Sequence, residues 1–168
     1  LDFSKVENAG IIFNDMEYNI ADIVSDIVNM INVRLMDSDI EFYVNMDPDM
    51  PGMLYGDPAR MRQLFINLLN NAVKYTKNGH ISLNVTYKIM DGDMAGIHVD
   101  VEDTGIGIKK ENMPELFNAF QRIEDDKHDS RKIEGTGLGL SICREILNSA
   151  QGRIYVKSEY NKGSVFSF

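Results

Sequence analysis

The sequence predicts one globular domain in which helices alternate with strands and hairpins. Some segments carry apolar residues at the spacing of an amphipathic helix, and others alternate apolar with polar residues as half-buried strands do. Short turns rich in Asn, Asp and Gly separate these segments. A chain of 168 residues with 43% hydrophobic content can bury roughly two thirds of its unfolded surface, so we expect it to fold without disulfides.

The first predicted helix begins near Asn19, which together with Asp22 resembles a capping pair, and runs to about Met36. Its apolar residues recur at helical spacing: Ile20, Ile23, Val24, Ile27, Val28 and Ile31. Residues 40–44 then alternate as a strand does. The order of these two segments predicts a helix followed by a strand of the sheet.

Asp57 followed by Pro58 predicts the start of a second helix, since a carboxylate caps the first turn and proline fits the first helical position. We expect this helix to reach about Thr76. Two alternating segments around a turn at 91–93 then predict a hairpin with one buried face, with the apolar positions Ile81, Leu83, Val85, Tyr87, Ile97, Val99 and Val101.

The last third of the chain contains a third predicted helix and a closing hairpin. Apolar residues recur at helical spacing over 142–147, and alternation over 154–156 and 165–168 surrounds a turn at 161–163. Cys143 is the single cysteine, so it forms no internal disulfide, and its place on the apolar-periodic helix indicates a small buried hydrophobe.

Charge and hydropathy exclude several classes of protein. A net charge of −9 argues against a nucleic-acid partner, because a duplex-binding surface needs clustered Lys and Arg. No apolar stretch approaches the ~18 residues that span a bilayer, and no signal sequence is visible, so we expect a soluble chain. Because the chain starts at Leu1, we expect it to be part of a longer protein.

A glycine run before the third helix is the strongest indication of a phosphate site. It places flexible backbone at the first turn of a helix, where unpaired N–H groups and the positive dipole end attract an anion. The alternative is an ordinary turn before a helix. The run consists of Gly135, Thr136, Gly137, Leu138, Gly139 and Leu140.

The second predicted helix carries a polar stripe as well as an apolar one. Asn67, Asn71 and Lys74 fall at i, i+4 and i+7. Asparagine is a mediocre helix former, which suggests that these amides have a role. Two carboxamide oxygens can help hold Mg²⁺, and a lysine supplies a point charge for a phosphate. The alternative is a solvated polar face.

Asp103 ends an alternating strand and is followed by a glycine-containing turn over 104–108. A carboxylate there can accept a hydrogen bond from an exocyclic amine such as that of adenine, and glycines at 105 and 107 let a flat base approach the backbone. Taken alone, this segment also fits a common turn at a strand end.

In order and spacing, these segments resemble the ATP-binding catalytic domain of sensor histidine kinases, a member of the GHKL superfamily with the Bergerat fold. The resemblance rests on an asparagine box, a first glycine box, a phenylalanine box and a second glycine box, at 67–76, 103–108, 116–120 and 135–140. Residues 163–166 are similar to the closing strand of that family, and residues 1–5 resemble the tail of its dimerisation helix.

The resemblance implies a two-layer α+β sandwich, with about three helices on one face of a mixed sheet and a mobile ATP lid. It implies a boundary between 1–10, the tail and linker, and 11–168, the catalytic domain. It also implies ATP and Mg²⁺ as cofactors, with Asn71 as metal ligand supported by Asn67. The other implied ATP-binding residues are Lys74, Tyr75, Asp103, Gly105, Gly107, Ile108, Arg122, Gly135, Thr136, Gly137, Leu138, Gly139 and Leu140.

Residues 109–134 hold seven acidic and six basic residues, which favours a flexible lid that orders when phosphates recruit Arg122, Arg131 or Lys132. An ordinary solvated loop is the alternative for the last two. Phe117 and Phe120 are expected to anchor this segment to the core. Glu134 departs from the family pattern, in which glycine is frequent, and we expect its carboxylate to point away from the phosphates.

The phosphoacceptor is expected outside this chain, because His80, His98 and His128 lack the sequence context of an acceptor. The resemblance therefore implies transfer to a histidine on a separate dimerisation domain and relay to a response-regulator receiver. The parent would be a homodimer with this domain in the cytoplasm, compatible with a membrane anchor. The alternatives are a conformational ATPase of the superfamily and a non-catalytic interaction module. Asn67 argues against hydrolysis, since an amide cannot activate water as a base.

Overall fold

A computed structural model describes residues 11–120 and 137–168, and all structural statements below concern these residues. Three helices cover one face of a five-stranded mixed sheet, as the resemblance implies. The helices are α1 (Ile20–Leu35), α2 (Pro58–Tyr75) and α3 (Gly139–Ser149). The strands are β1 (Met16–Tyr18), β2 (Ile40–Met46), β3 (Leu54–Gly56), β4 (Gly79–Ile89), β5 (Ala95–Asp103), β6 (Tyr155–Glu159) and β7 (Gly163–Ser167).

The main sheet has the order β2-β4-β5-β7-β6, with β2 and β4 parallel and the remaining pairs antiparallel. The β4–β5 hairpin turns at the predicted position, where the backbone N–H of Met90 donates to the carbonyl of Met94 at 2.8 Å. β4 starts just after the C-terminus of α2 and runs back along that helix, and β5 returns antiparallel to it, so that Asp103 pairs with Ile81 near the start of β4. Asp103 therefore lies at the same end of the domain as Lys74.

Local chemistry sets the helix ends where the sequence predicts them. The side chain of Asn19 accepts a hydrogen bond from the N–H of Ala21 and caps α1. Asp57 caps α2 by accepting from the N–H groups of Ala59 and Arg60 at 2.9 and 3.0 Å. None of the helices in the described part of the chain is both long and apolar enough to cross a bilayer.

The core lies between the helices and one face of the sheet. Leu64, Phe65 and Leu68 of α2 are buried against the inward side chains of β4 and β5. The ring of Phe65 meets that of Phe168 edge to face at 5.9 Å between centroids. Side chains alternate along a strand, so His80 and His98 lie on the opposite, polar face of the sheet.

A small two-stranded sheet, which the periodicity analysis does not predict, joins the start of the domain to α2. In it β1 pairs antiparallel with β3, with Met16 opposite Gly56. The backbone N–H of Asn14 donates to Oδ2 of Asp57 at 2.9 Å. The carboxylate that caps α2 therefore also holds the segment that leads into α1.

Candidate nucleotide-binding site

Asn67 connects the polar stripe of α2 to the first turn of α3. Its Nδ2 donates to the carbonyl oxygen of Gly139 at 3.2 Å and lies 3.5 Å from Sγ of Cys143. Both partners are acceptors, which fixes the orientation of the amide. Burial raises the pKa of the Cys143 thiol to about 11, so it is a protonated, buried hydrophobe, as predicted.

Asn71 and Lys74 follow Asn67 on the same stripe and are half-buried. The amide of Asn71 makes no hydrogen bond among residues 11–120 and 137–168. Nζ of Lys74 lies 4.8 Å from the centroid of the Tyr75 ring and meets no carboxylate there. Within the described part of the chain this amide has no hydrogen-bond partner and this ammonium has no carboxylate partner, so both groups can bind an external ligand. Asn70 has a structural role instead, since it accepts from Nη1 of Arg34 at 2.6 Å and joins α2 to α1.

Asp103 is the buried carboxylate of the site, with 6% of its surface exposed at the end of β5. Its Oδ1 accepts a hydrogen bond from the N–H of Gly105 at 2.9 Å. Desolvation raises the pKa of Asp103, against the lowering effect of the N–H groups of Gly105 and Ser164, and the charge of Glu102 raises it further. Burying a carboxylate is costly, which is typical of a residue kept for function.

The glycines of the turn after Asp103 are required by the protein's own backbone. A Cβ at Gly105 would overlap the carbonyl oxygen of Tyr75, where the N–H of Ile106 also donates at 3.1 Å. Gly107 has φ +63°, and a Cβ there would overlap the carbonyl oxygen of Glu159. This loop is therefore packed between the end of α2 and the β6–β7 turn.

The predicted second glycine box is described only from Gly137 onward. Gly137 has φ +71°, and its carbonyl oxygen accepts from the N–H of Phe120 at 3.1 Å. Leu138 precedes α3, and Gly139 is its first residue, so the run does open a helix. Six predicted positions lie outside the described residues: Arg122, Arg131, Lys132, Glu134, Gly135 and Thr136.

Ile108 and Leu140, two of the predicted ATP-binding residues, are partly buried and pack against the hydrophobic core. Their contact with ATP stays a prediction. The expectation that Phe120 anchors the following segment to the core is wrong, because Phe120 is 67% exposed with φ +63°. Leu116 makes that contact instead, since the 3-10 helix Lys110–Glu115 turns this side chain inward.

Sequence reasoning gave no role to two serines of the closing hairpin. Ser164 is 6% exposed, lies opposite Asp103 in the β5–β7 register, and donates its backbone N–H to that carboxylate. Ser158 faces it across β6 and β7, with 2.9 Å between the two hydroxyl oxygens. The sequence gives one indication of their role. Both serines occupy positions whose side chains alternate toward the core, and the other residues at such positions of these two strands are apolar.

Comparison with known proteins agrees with this arrangement. The family of histidine kinase-, DNA gyrase B- and HSP90-like ATPases matches residues 56–168. The chain belongs to this family. The match confirms the superfamily that the sequence resembles.

Similar proteins of this family are histidine kinases. The chain is 35% identical over 168 residues to hybrid signal transduction histidine kinase B of Dictyostelium discoideum and to signal transduction histidine-protein kinase BarA of Escherichia coli. These alignments cover 100% of the chain, but the chain spans only 8% and 18% of those two proteins. It corresponds to one domain of such longer proteins.

Solved structures match almost the whole chain. Full-length ShkA in complex with AMPPNP is 26% identical with a TM-score of 0.78, over 99% of this chain and 33% of that one. The catalytic domain of histidine kinase ThkA, in a nucleotide-free form, is 28% identical with a TM-score of 0.72, over 92% of this chain and 95% of that one.

Proposed function

We propose that this domain binds ATP with Mg²⁺ and delivers the γ-phosphoryl group to a histidine on a separate dimerisation domain of the same protein, for relay to the aspartate of a receiver domain. The parent would be a homodimer, and this domain would act in the cytoplasm. The observation that carries the proposal is the buried carboxylate of Asp103 at the same end of the domain as Asn71 and Lys74. The similar protein ShkA was solved in complex with AMPPNP, which supports nucleotide binding by a domain of this fold.

Asp103 would recognise the base. Its carboxylate is held by the backbone N–H of Gly105 and that of Ser164 and still has lone pairs to accept from an exocyclic amine. An adenine amine is a donor, whereas the keto oxygen of guanine is an acceptor that a carboxylate repels. Because the carboxylate is buried, a base that offers it no donor would leave it without a hydrogen bond at a cost in binding free energy. This gives selectivity for adenine.

Lys74 and Asn71 would face the phosphates. Lys74 is a cation without a carboxylate partner in the described part of the chain, so it can pair with a phosphate oxygen. The side chain of Asn71 suits Mg²⁺, because its amide oxygen is a hard ligand and accepts no hydrogen bond from the described residues. Among residues 11–120 and 137–168 no three His, Cys, Asp or Glu side chains form a metal cluster. When bound, Mg²⁺ would neutralise phosphate charge.

Asn67 supports phosphoryl transfer over hydrolysis. Its amide cannot accept a proton from water, and its Nδ2 is engaged by Gly139. Its contribution is to hold the first turn of α3, with its N–H groups, beside the polar stripe of α2. Catalysis would then rest on positioning and electrostatics. His80 and His98 lie on the opposite face of the sheet, and His128, outside the described residues, lacks the sequence context of an acceptor. The acceptor histidine would therefore come from another domain.

Calorimetric titration with ATP tests the proposal, with Mg²⁺ and with a chelator. We expect the wild-type domain to bind ATP more tightly with Mg²⁺, and Asn71→Ala to lose this metal-dependent gain while its unliganded melting temperature is unchanged. Asn45→Ala is the control, since the Asn45 amide bonds Asn84 on the far face of the sheet. Absence of nucleotide binding by the wild type would refute the proposal, and a full Mg²⁺ effect in Asn71→Ala would remove that metal ligand.

A further inference from the structure

Ser158, a β6 residue outside the four sequence boxes, joins three parts of the site through one hydroxyl. Its Oγ accepts from the backbone N–H of Ile108 at 2.8 Å and donates to the carbonyl oxygen of Gly163 at 3.0 Å. It also lies 2.9 Å from Oγ of Ser164. Ile108 ends the loop that follows Asp103, and Ser164 lies opposite Asp103 in the sheet. Ser158 thus ties this loop to the strand beside it.

A count of protons and lone pairs gives the direction of these bonds. A serine hydroxyl has one proton and two acceptor positions. The N–H of Ile108 uses one acceptor position, and the carbonyl of Gly163, which can only accept, takes the proton. Ser164 must therefore donate to the second acceptor position of Ser158. Every hydrogen-bonding capacity of Ser158 is used inside the protein, so it acts through its neighbours and not on a ligand.

The β6–β7 turn strengthens this attachment. The N–H of Asn161 donates to the carbonyl oxygen of Ile106 at 2.7 Å, and Nζ of Lys109 lies 5.2 Å from the centroid of the Tyr160 ring. On the other side, the loop is bonded to Tyr75 at the end of α2. Residues 104–108 are thus held between two elements, and Ser158 supplies the side-chain bond on the β6 side.

We propose that Ser158 is a positioning residue for nucleotide binding, because it fixes residues 104–108 and Ser164 around the carboxylate of Asp103. This inference rests on the proposed nucleotide-binding function and deepens it. Loss of the hydroxyl would leave the N–H of Ile108 without its acceptor and would loosen the loop on the side of β6. ATP binding would then have to order residues 104–108, which would lower the affinity.

The test compares ATP affinity, unliganded melting temperature and amide hydrogen exchange of residues 104–108 in four proteins. We expect Ser158→Ala to weaken ATP binding about tenfold, the effect of a lost bond to a part-buried N–H, and to speed exchange at Ile108. Ser158→Thr keeps the hydroxyl and should restore both values. Ser167→Ala is the matched control, since Ser167 is a β7 serine whose hydroxyl bonds Asp100 on the far face of the sheet.

The outcomes separate this inference from the proposed function. A wild-type domain that does not bind ATP contradicts the proposed function itself. If the wild type binds ATP and Ser158→Ala binds it with the same affinity, the positioning role is overturned. It is also overturned if Ser167→Ala loses as much ATP affinity as Ser158→Ala does at the same loss of melting temperature. If Ser158→Ala does not fold, Ser158→Cys takes its place, since it retains the size of the side chain and has a weaker hydrogen-bonding group. This variant should show an intermediate loss of ATP affinity. Wild-type affinity in Ser158→Cys would also overturn the positioning role.

Discussion

At the scale of the residue, Asp103 combines a stability cost with the binding role proposed for it. Its raised pKa, caused mainly by desolvation, means that the folded state disfavours the charged form. A carboxyl whose pKa is raised in the folded state binds its proton more tightly there than in the unfolded state. Its charged form therefore lowers the stability of the fold at pH values above the folded pKa, and this loss of stability disappears as pH falls through the folded pKa. In the proposed site a carboxylate would bind the amine of the base more strongly than a neutral acceptor does.

We therefore expect Asp103→Asn to separate the two roles. ATP affinity at neutral pH should fall more than tenfold, because the amide can present a donor to the amine of the base. The unliganded melting temperature should stay equal or rise, since a neutral group avoids the desolvation cost. Calorimetry and thermal melts measure both, and unchanged affinity would exclude Asp103 from the base site.

At the scale of the element, Asp57 joins the start of α2 to the preceding segment. Desolvation raises the pKa of Asp57, but the backbone N–H groups of Asn14, Arg60 and Ala59 outweigh this, and the net pKa lies below its ordinary value of 3.8. For a lowered pKa, the stabilisation is present above 3.8 and is lost as pH falls through the folded pKa.

Variants of Asp57 should resolve its two contributions. Asp57→Asn keeps one acceptor for the cap but loses the bond to Asn14, so the free energy of unfolding should fall by about 1 kcal/mol, and Asp57→Ala should lose about 2 kcal/mol in total. The advantage of the wild type over Asp57→Asn should begin to shrink as pH falls toward 3.8 and should vanish once pH is below the folded pKa of Asp57. Urea unfolding at several pH values measures this, and a pH-independent difference would contradict the account.

The glycine loop gives a second prediction for an element. Gly107→Ala should destabilise the domain by several kcal/mol, because its φ of +63° is strained for alanine and the Cβ would overlap the carbonyl oxygen of Glu159. Gly92→Ala is a matched control with φ +73° and nothing within 4 Å of its Cβ, so it isolates the cost of the backbone conformation alone. Urea unfolding measures both variants. If Gly107→Ala and Gly92→Ala lose the same free energy of unfolding, the structure relaxes around the Cβ at position 107 and the overlap carries no cost.

Local patterns in the sequence predict most elements, and long-range contacts account for what they miss. Asn19 and Asp57 are recognisable as helix caps because capping involves residues two or three positions away. The β1–β3 pair has only three residues in each strand, with Met16 opposite Gly56, so no period is visible in either strand. Ser158 acquires its role from Ile108, 50 positions earlier, which no periodicity reveals.

At the scale of the whole molecule, the proposed nucleotide site lies at one end of the described helices and sheet, while β1 and the start of α2 lie at the other. Asp57 bonds Asn14 at the first turn of α2, and the polar stripe of the same helix ends at Lys74. One helix of 18 residues therefore runs from the segment bonded at Asn14 to the proposed phosphate end of the site.

The proposed transfer of phosphate to a histidine on a separate domain leads to the last prediction. Incubated with Mg²⁺ and ATP labelled in the γ-phosphate, this chain alone should form no acid-labile phosphohistidine, because His80 and His98 lie on the sheet face opposite the helices and His128 lacks the sequence context of an acceptor. Addition of the dimerisation domain of the parent protein should give label on that domain, and Asp103→Asn should reduce the initial rate more than tenfold at limiting ATP. Mass spectrometry of the products locates the label. Phosphohistidine within this chain, or transfer that is insensitive to Asp103→Asn, would show that the acceptor or the base site lies elsewhere.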